Sequence, residues 1–169
     1  MNGFFAGTKG SSEIAWMWAR ARGYFDAVAY TGTGSATTVS HNLGVAPEMM
    51  WFFPRSNGNI KTVYHSALGE GKRLKLNDTT AAEDDTDSFN NTAPTSSVFS
   101  IGTGRTYIAY LFATVANVSK VGSFTQSGAT NVACGFTGDT PSFILLKRTD
   151  STGDWITFDS ARGIVAGND

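Results

Sequence analysis

Met49-Met50-Trp51-Phe52-Phe53 is an unbroken apolar run, entered from the turn Asn42-Leu43-Gly44-Val45-Ala46-Pro47. A helix or a half-exposed strand would break such a run with polar residues, so it reads as a short strand buried on both faces. Phe143-Ile144-Leu145-Leu146 has the same character and is entered from Pro141. The two runs stand 94 residues apart, and the chain on either side of them keeps that offset.

Residues 4–75 can be laid over residues 98–169 without a gap. Phe5 then meets Phe99, Gly10 meets Gly104, and Ile14-Ala15-Trp16-Met17-Trp18-Ala19 meets Ile108-Ala109-Tyr110-Leu111-Phe112-Ala113. Gly34, Gly44 and Pro47 fall on Gly128, Gly138 and Pro141, and Ser66-Ala67-Leu68-Gly69 on Ser160-Ala161-Arg162-Gly163. The overlay holds 12 identities in 72 positions, against about five or six expected by chance. Apolar runs, glycines and prolines coincide in the same order. This is the mark of a duplicated scaffold, an arrangement more typical of binding or structural modules than of an asymmetric catalytic domain.

Outward from the two runs, strand signals recur at short intervals with turn residues between them. They fall at Ile14–Ala19 and Tyr107–Ala113, Phe25–Thr31 and Lys120–Thr125, Thr37–His41 and Asn131–Cys134, and Ile60–His65 and Asp154–Asp159. Arg73-Leu74-Lys75-Leu76-Asn77 alternates as a half-exposed strand does. No window carries helical periodicity. The best candidate, Ser66–Leu76, is interrupted by Gly69 and Gly71, each costing about 1 kcal/mol in a helix interior. The expected fold is therefore all-β, an antiparallel β-sandwich built from two related repeat units. Residues 1–77 form the first unit, 78–97 a polar connecting loop and 98–169 the second, the two packed as one globular unit. The second unit stops at Asp169, short of the counterpart of Leu76, and so presents an open edge. A longer parent chain is the expected explanation.

Composition narrows the functional classes. Only 16% of the 169 residues are charged and the net charge is −1, so there is no electrostatic footprint for nucleic acid. Ser, Thr and Asn supply about a quarter of the chain and favour turns and strands over helices. One cysteine, Cys134, excludes an intrachain disulfide; its apolar neighbours suggest a buried, inert thiol. The start, Met1-Asn2-Gly3-Phe4-Phe5-Ala6-Gly7, lacks the features of a signal peptide, and no apolar stretch reaches bilayer-spanning length.

The runs Thr31-Gly32-Thr33-Gly34, Val39-Ser40-His41-Asn42-Leu43-Gly44-Val45-Ala46-Pro47, Tyr107-Ile108-Ala109-Tyr110-Leu111-Phe112 and Leu146-Lys147-Arg148-Thr149-Asp150-Ser151-Thr152-Gly153-Asp154-Trp155 resemble a repeat module of bacteriophage tail and tail-fibre proteins, marine phages especially. The resemblance covers Gly3 to Asp169 and attaches no chemistry to these motifs. It implies a virion structural or host-recognition role, with other tail subunits as partners and a homo-oligomer, a trimer first, as the assembly. It also implies a protein made in the host cytoplasm without a signal peptide and carried on the virion.

Candidate chemistry is sparse. Ser40-His41 and His65-Ser66 place a hydroxyl beside an imidazole, but strand neighbours point to opposite faces. The histidines and Cys134 fit no zinc spacing. Glu83-Asp84-Asp85 with Asp87 reads as a solvated loop, lacking the ligand spacing of an EF-hand. Asp154 and Asp159 are five apart on one strand, a poor match to a glycosidase pair. Aromatic residues, 12% of the chain, suit sugar stacking, yet Trp51, Phe52, Phe53 and Phe158 sit in strand runs that fill a core. The sequence thus assigns no catalytic residue, metal ligand or cofactor and names no binding residue. It points to a non-enzymatic virion module, with bacterial surface polysaccharide as a candidate ligand and no membrane insertion. The alternatives are a fragment of a glycan-degrading tailspike-type enzyme and a lectin-like surface domain.

Overall fold

The computed structural model describes residues 17–55, 60–102, 106–138, 140–161 and 163. Every described element is a strand, and every pairing between strands is antiparallel. The protein is all-β. The strands are β1 (Phe25–Tyr30), β2 (Thr37–Ser40), β3 (Met49–Pro54), β4 (Thr62–His65), β5 (Lys72–Lys75), β6 (Glu83–Asp84), β7 (Val98–Ile101), β8 (Tyr107–Phe112), β9 (Phe143–Lys147) and β10 (Trp155–Asp159). Six of them form one sheet in the order β1-β8-β3-β4-β5-β6, while β2 pairs with β7 and β9 with β10.

The apolar run that opens β3 lies in the middle of the large sheet, between β8 and β4. Met50 and Phe52 project to one face, joining Tyr64, Ala109 and Leu111 beneath Phe99, Ile101 and Phe89. Trp51 projects to the other, with Phe25, Val63, Leu74 and Phe112; Trp18, Val121, Leu145 and Trp155 pack against that cluster. Both faces are covered, which is why β3 tolerates no polar residue. Asn42-Leu43-Gly44 makes the turn expected of it, with Gly44 at φ 82° and Leu43 fully buried.

The sheet interleaves the two halves of the sequence. Between β1 and β3 runs β8, whose residues belong to the second copy, and β7 from the same copy pairs with β2. The 94-residue offset also recurs in the backbone. Met49 lies opposite His65 in the β3–β4 pair, and Phe143 opposite Asp159 in the β9–β10 pair. The bridge Ala21–Phe25 recurs as Val115–Ser119. The hydrogen bond from Ser66 N to Glu48 O recurs from Ser160 N to Ser142 O. Left-handed residues recur as Gly23 and Asn117, Gly34 and Gly128, Gly44 and Gly138, and Gly69 and Gly163.

Several local expectations are revised. Lys120–Thr125 and Asn131–Cys134 form no strands, although β1 and β2 at the same offset do. A strand needs a partner to take up its backbone N–H and C=O groups. β2 has Val98–Ile101; among the described residues no strand lies beside Asn131–Cys134. Cys134 is accordingly half-buried, its thiol directed to the Val132 carbonyl at 3.4 Å. Phe143–Lys147 is a strand like Met49–Pro54, but only β10 flanks it among the described residues. The segment 78–97 is more than a connection, since it supplies β6 and the fully buried Phe89. Ile14–Trp16 lies outside the described residues.

Candidate functional site

A small concavity opens where β1 ends and β8 begins. Tyr30 and Tyr107 are cross-strand partners there, their rings stacked at 5.8 Å between centroids and 29° between planes. Phe52, Phe89 and Ile101 supply its apolar floor, and Thr62, Asp87, Ser88 and Gly102 its remaining walls. Burial and the neighbouring Tyr107 hold the Tyr30 phenol above the ordinary tyrosine range. It stays protonated, a hydrogen-bond donor at any physiological pH.

The polar wall is positioned by a buried carboxylate one step back. Asp85 Oδ1 accepts hydrogen bonds from Asp87 N (3.0 Å) and Ser88 N (2.9 Å). Its Oδ2 makes no hydrogen bond of good geometry but faces Arg73 Nη1 at 3.1 Å, and that charge pairing offsets the cost of burial. Burial pushes the Asp85 pKa up; the Ser88 and Asp87 donors and Arg73 outweigh it, and the net shift is downward. Gly102 completes the fit, because a Cβ there would overlap the Asp87 carbonyl. Two phenols, a carboxylate and two hydroxyl side chains thus surround an apolar floor. Such a set suits a hydroxyl-rich ligand, and no cation is among its described lining residues.

The residues weighed from sequence lie elsewhere and serve the fold. His41 is buried, stacked on Phe99 at 6.2 Å. Its Nδ1 accepts from Leu43 N and its Nε2 lies 3.1 Å from the Thr95 carbonyl, which fixes the neutral Nε2–H tautomer. His65 Nδ1 accepts from Ala67 N at 3.1 Å. Burial pushes its pKa down, against the Gly122 backbone and the charge of Glu48. The acidic run pairs across β5–β6 rather than standing free in solvent: Asp84 with Lys72 at 2.6 Å, and Glu83 with Lys75 at 2.7 Å and Arg73 at 3.4 Å. Among the described residues no group of three or more His, Cys, Asp or Glu side chains is arranged to hold a metal ion.

Asp154 precedes β10 and Asp159 ends it. Five extended residue steps separate them by about 16 Å, beyond either glycosidase geometry. The aromatic residues divide. Trp51 and Phe52 are core, as expected, whereas Phe158 is 45% exposed. Sequence reasoning missed Tyr30 and Tyr107 as a pair, because their adjacency comes from the register of two strands far apart in the chain. Equal apolar–aromatic character at both strand ends was the only signal.

The fold is an antiparallel all-β module, with a small concavity at the Tyr30–Tyr107 pair among its described residues. The chain belongs to the family described as Domain of unknown function (DUF7483), which it matches over residues 6–168. No curated protein and no solved structure matches it. No helix among the described residues is long and apolar enough to cross a membrane.

Proposed function

We propose that this protein is a non-catalytic virion module of a phage tail fibre or related appendage, contacting cell-surface glycan through the Tyr30–Tyr107 concavity. The tail-fibre assignment rests on the sequence resemblance. The glycan assignment rests on the site, where stacked phenols flank Asp87, Ser88 and Thr62 over an apolar floor. Sugars present an apolar ring face and a hydroxyl edge, and this surface complements both. Its partners are the other tail subunits and the bacterial polysaccharide, and the chain acts as a homo-oligomer, a trimer first, on the extracellular particle. No cofactor takes part.

A glycan array of bacterial surface polysaccharides tests the reading. Tyr107→Ala should weaken the captured ligand by about tenfold or more, roughly 1.4 kcal/mol of lost contact. Unchanged capture by this variant removes the concavity from the assignment. Release of reducing ends from the captured polysaccharide would favour the tailspike-type enzyme instead.

A further inference from the structure

The chain that leaves β8 forms a turn closed on itself. Val115 N donates to the Ser119 carbonyl at 3.0 Å, and Asn117, left-handed at φ 60°, reverses the chain between them. Ser119 Oγ returns to the Ala113 carbonyl at 2.7 Å, and Val121 N to Thr114 Oγ1 at 3.1 Å. These bonds make residues 113–122 a small unit of their own, and two side chains from the start of β3 and the end of β4 hold it. Glu48 takes one end: its backbone N donates to the Phe112 carbonyl at 2.9 Å, and its Oε2 accepts from Thr114 N at 2.5 Å. His65 takes the other, its ring meeting the Gly122 backbone. The two stand together because the β3–β4 register sets Met49 opposite His65 and Ser66 N donates to the Glu48 carbonyl at 2.8 Å.

The His65 ring is held in its neutral form. Nδ1 accepts from Ala67 N at 3.1 Å, so the single ring proton of the neutral imidazole sits on Nε2. A second proton must go to Nδ1, where it would point at the Ala67 N–H and end that hydrogen bond. The charges nearby oppose one another. Glu48 favours the imidazolium. Lys120, whose Cε lies 3.5 Å from the place a Gly122 Cβ would take, brings a like charge to the same end of the turn. We infer that His65 is a pH-sensitive latch: when its ring takes up a proton, residues 113–122 lift away from the β3–β4 end, and Val121 leaves the cluster of Trp51, Val63 and Phe112 that it packs against.

The direction of the latch follows from proton linkage. Burial is the largest influence on the His65 ring and pushes its pKa down; the Gly122 backbone and the Glu48 charge return only part of that, and the net shift is downward. The closed arrangement thus binds the proton less readily than one in which water reaches the ring. The stability of the closed turn is complete above the ordinary histidine pKa of about 6.5. It declines as pH falls below that value and is lost once pH passes the lowered one. Opening the turn relieves the buried charge while leaving the rest of the sheet in place, because its other hydrogen bonds close within residues 113–122. Neither the ligand nor the virion role enters this inference.

Amide hydrogen exchange on the full chain, followed by NMR between about pH 7.5 and about pH 5, tests the latch. After correction for intrinsic rates, protection of the Thr114, Val115 and Val121 amides should fall by about tenfold or more as pH drops, while that of Trp51 and Phe52 in the centre of β3 holds. The midpoint of the fall should lie below about pH 6.5 and coincide with the titration of the His65 ring protons. His65→Asn keeps a side-chain acceptor for Ala67 N without a titrating ring, and in it the three amides should keep one level of protection throughout. A fall that persists in His65→Asn, or whose midpoint departs from the His65 titration, belongs to another group, Glu48 first, and overturns the latch. Constant protection in the parent chain overturns it as well. Should His65→Asn fail to fold, agreement or disagreement of the two midpoints in the parent chain decides.

Discussion

Trp51 shows how much a single residue carries. Its ring lies 4.7 Å from Phe112 and 6.1 Å from Trp18, and it is 6% exposed. Trp51→Ala should cost about 3–5 kcal/mol, read as a lowered midpoint in chemical denaturation. Phe52 belongs to the opposite core, against Phe89 and Phe99 at 5.6 Å each, and its truncation should cost as much. An unchanged midpoint for either would place that face in solvent. The Trp51 indole N–H is buried without a hydrogen-bond partner among the described residues. Trp51→Phe should therefore be tolerated far better than Trp51→Ala, because the phenyl ring restores packing and removes the orphan donor.

At the scale of elements, a strand is defined by its neighbour. β1 and β2 pair with β8 and β7; Lys120–Thr125 and Asn131–Cys134, at the same offset, are irregular and have no strand beside them among the described residues. The β5–β6 edge shows a second dependence, on charge. Lys72, Arg73 and Lys75 face Glu83, Asp84 and Asp85 across two short strands that bury little apart from Leu74. Asp85 also caps the turn bearing Asp87 and Ser88. Asp85→Ala should cost about 1–3 kcal/mol through the unsatisfied N–H groups and the lost Arg73 contact, and should weaken glycan capture by displacing that wall. The folded-state pKa of Asp85 is lowered. The unfolded chain therefore binds its proton first as pH falls, and the stability that Asp85 contributes is present above its ordinary carboxylate range. That contribution is lost as pH drops through the lowered value. Acid titration of the unfolding midpoint should be less steep below about pH 4 in Asp85→Ala than in the parent chain. Parallel curves would remove Asp85 from the linkage.

At the scale of the whole molecule, the proposed homo-oligomer requires that like chains associate. The low charge density, 16% of residues with a net charge of −1, offers little repulsion against it. Sedimentation equilibrium at micromolar concentration should return a multiple of 18.0 kDa, three chains by the family resemblance. A monomer throughout the concentration range would withdraw the oligomer.

The apolar run at Met49–Phe53 determined by itself that the chain is built on a doubly buried strand, and the 94-residue offset marked where that strand's counterpart lies. Periodicity is local, and it survives in sequence because each strand must match its own cover. Which strands neighbour one another was decided only by the tertiary structure. The insertion of β8 between β1 and β3, and the meeting of Tyr30 with Tyr107, join residues more than fifty positions apart. No single window of sequence records such a pairing. Gly23 and Asn117 make the same point in reverse. Their side chains differ, yet both adopt left-handed conformations, at φ 77° and 60°. The backbone kept an equivalence there that the residues had lost, because hydrogen bonding constrains the chain path more tightly than it constrains the side chain at an exposed turn.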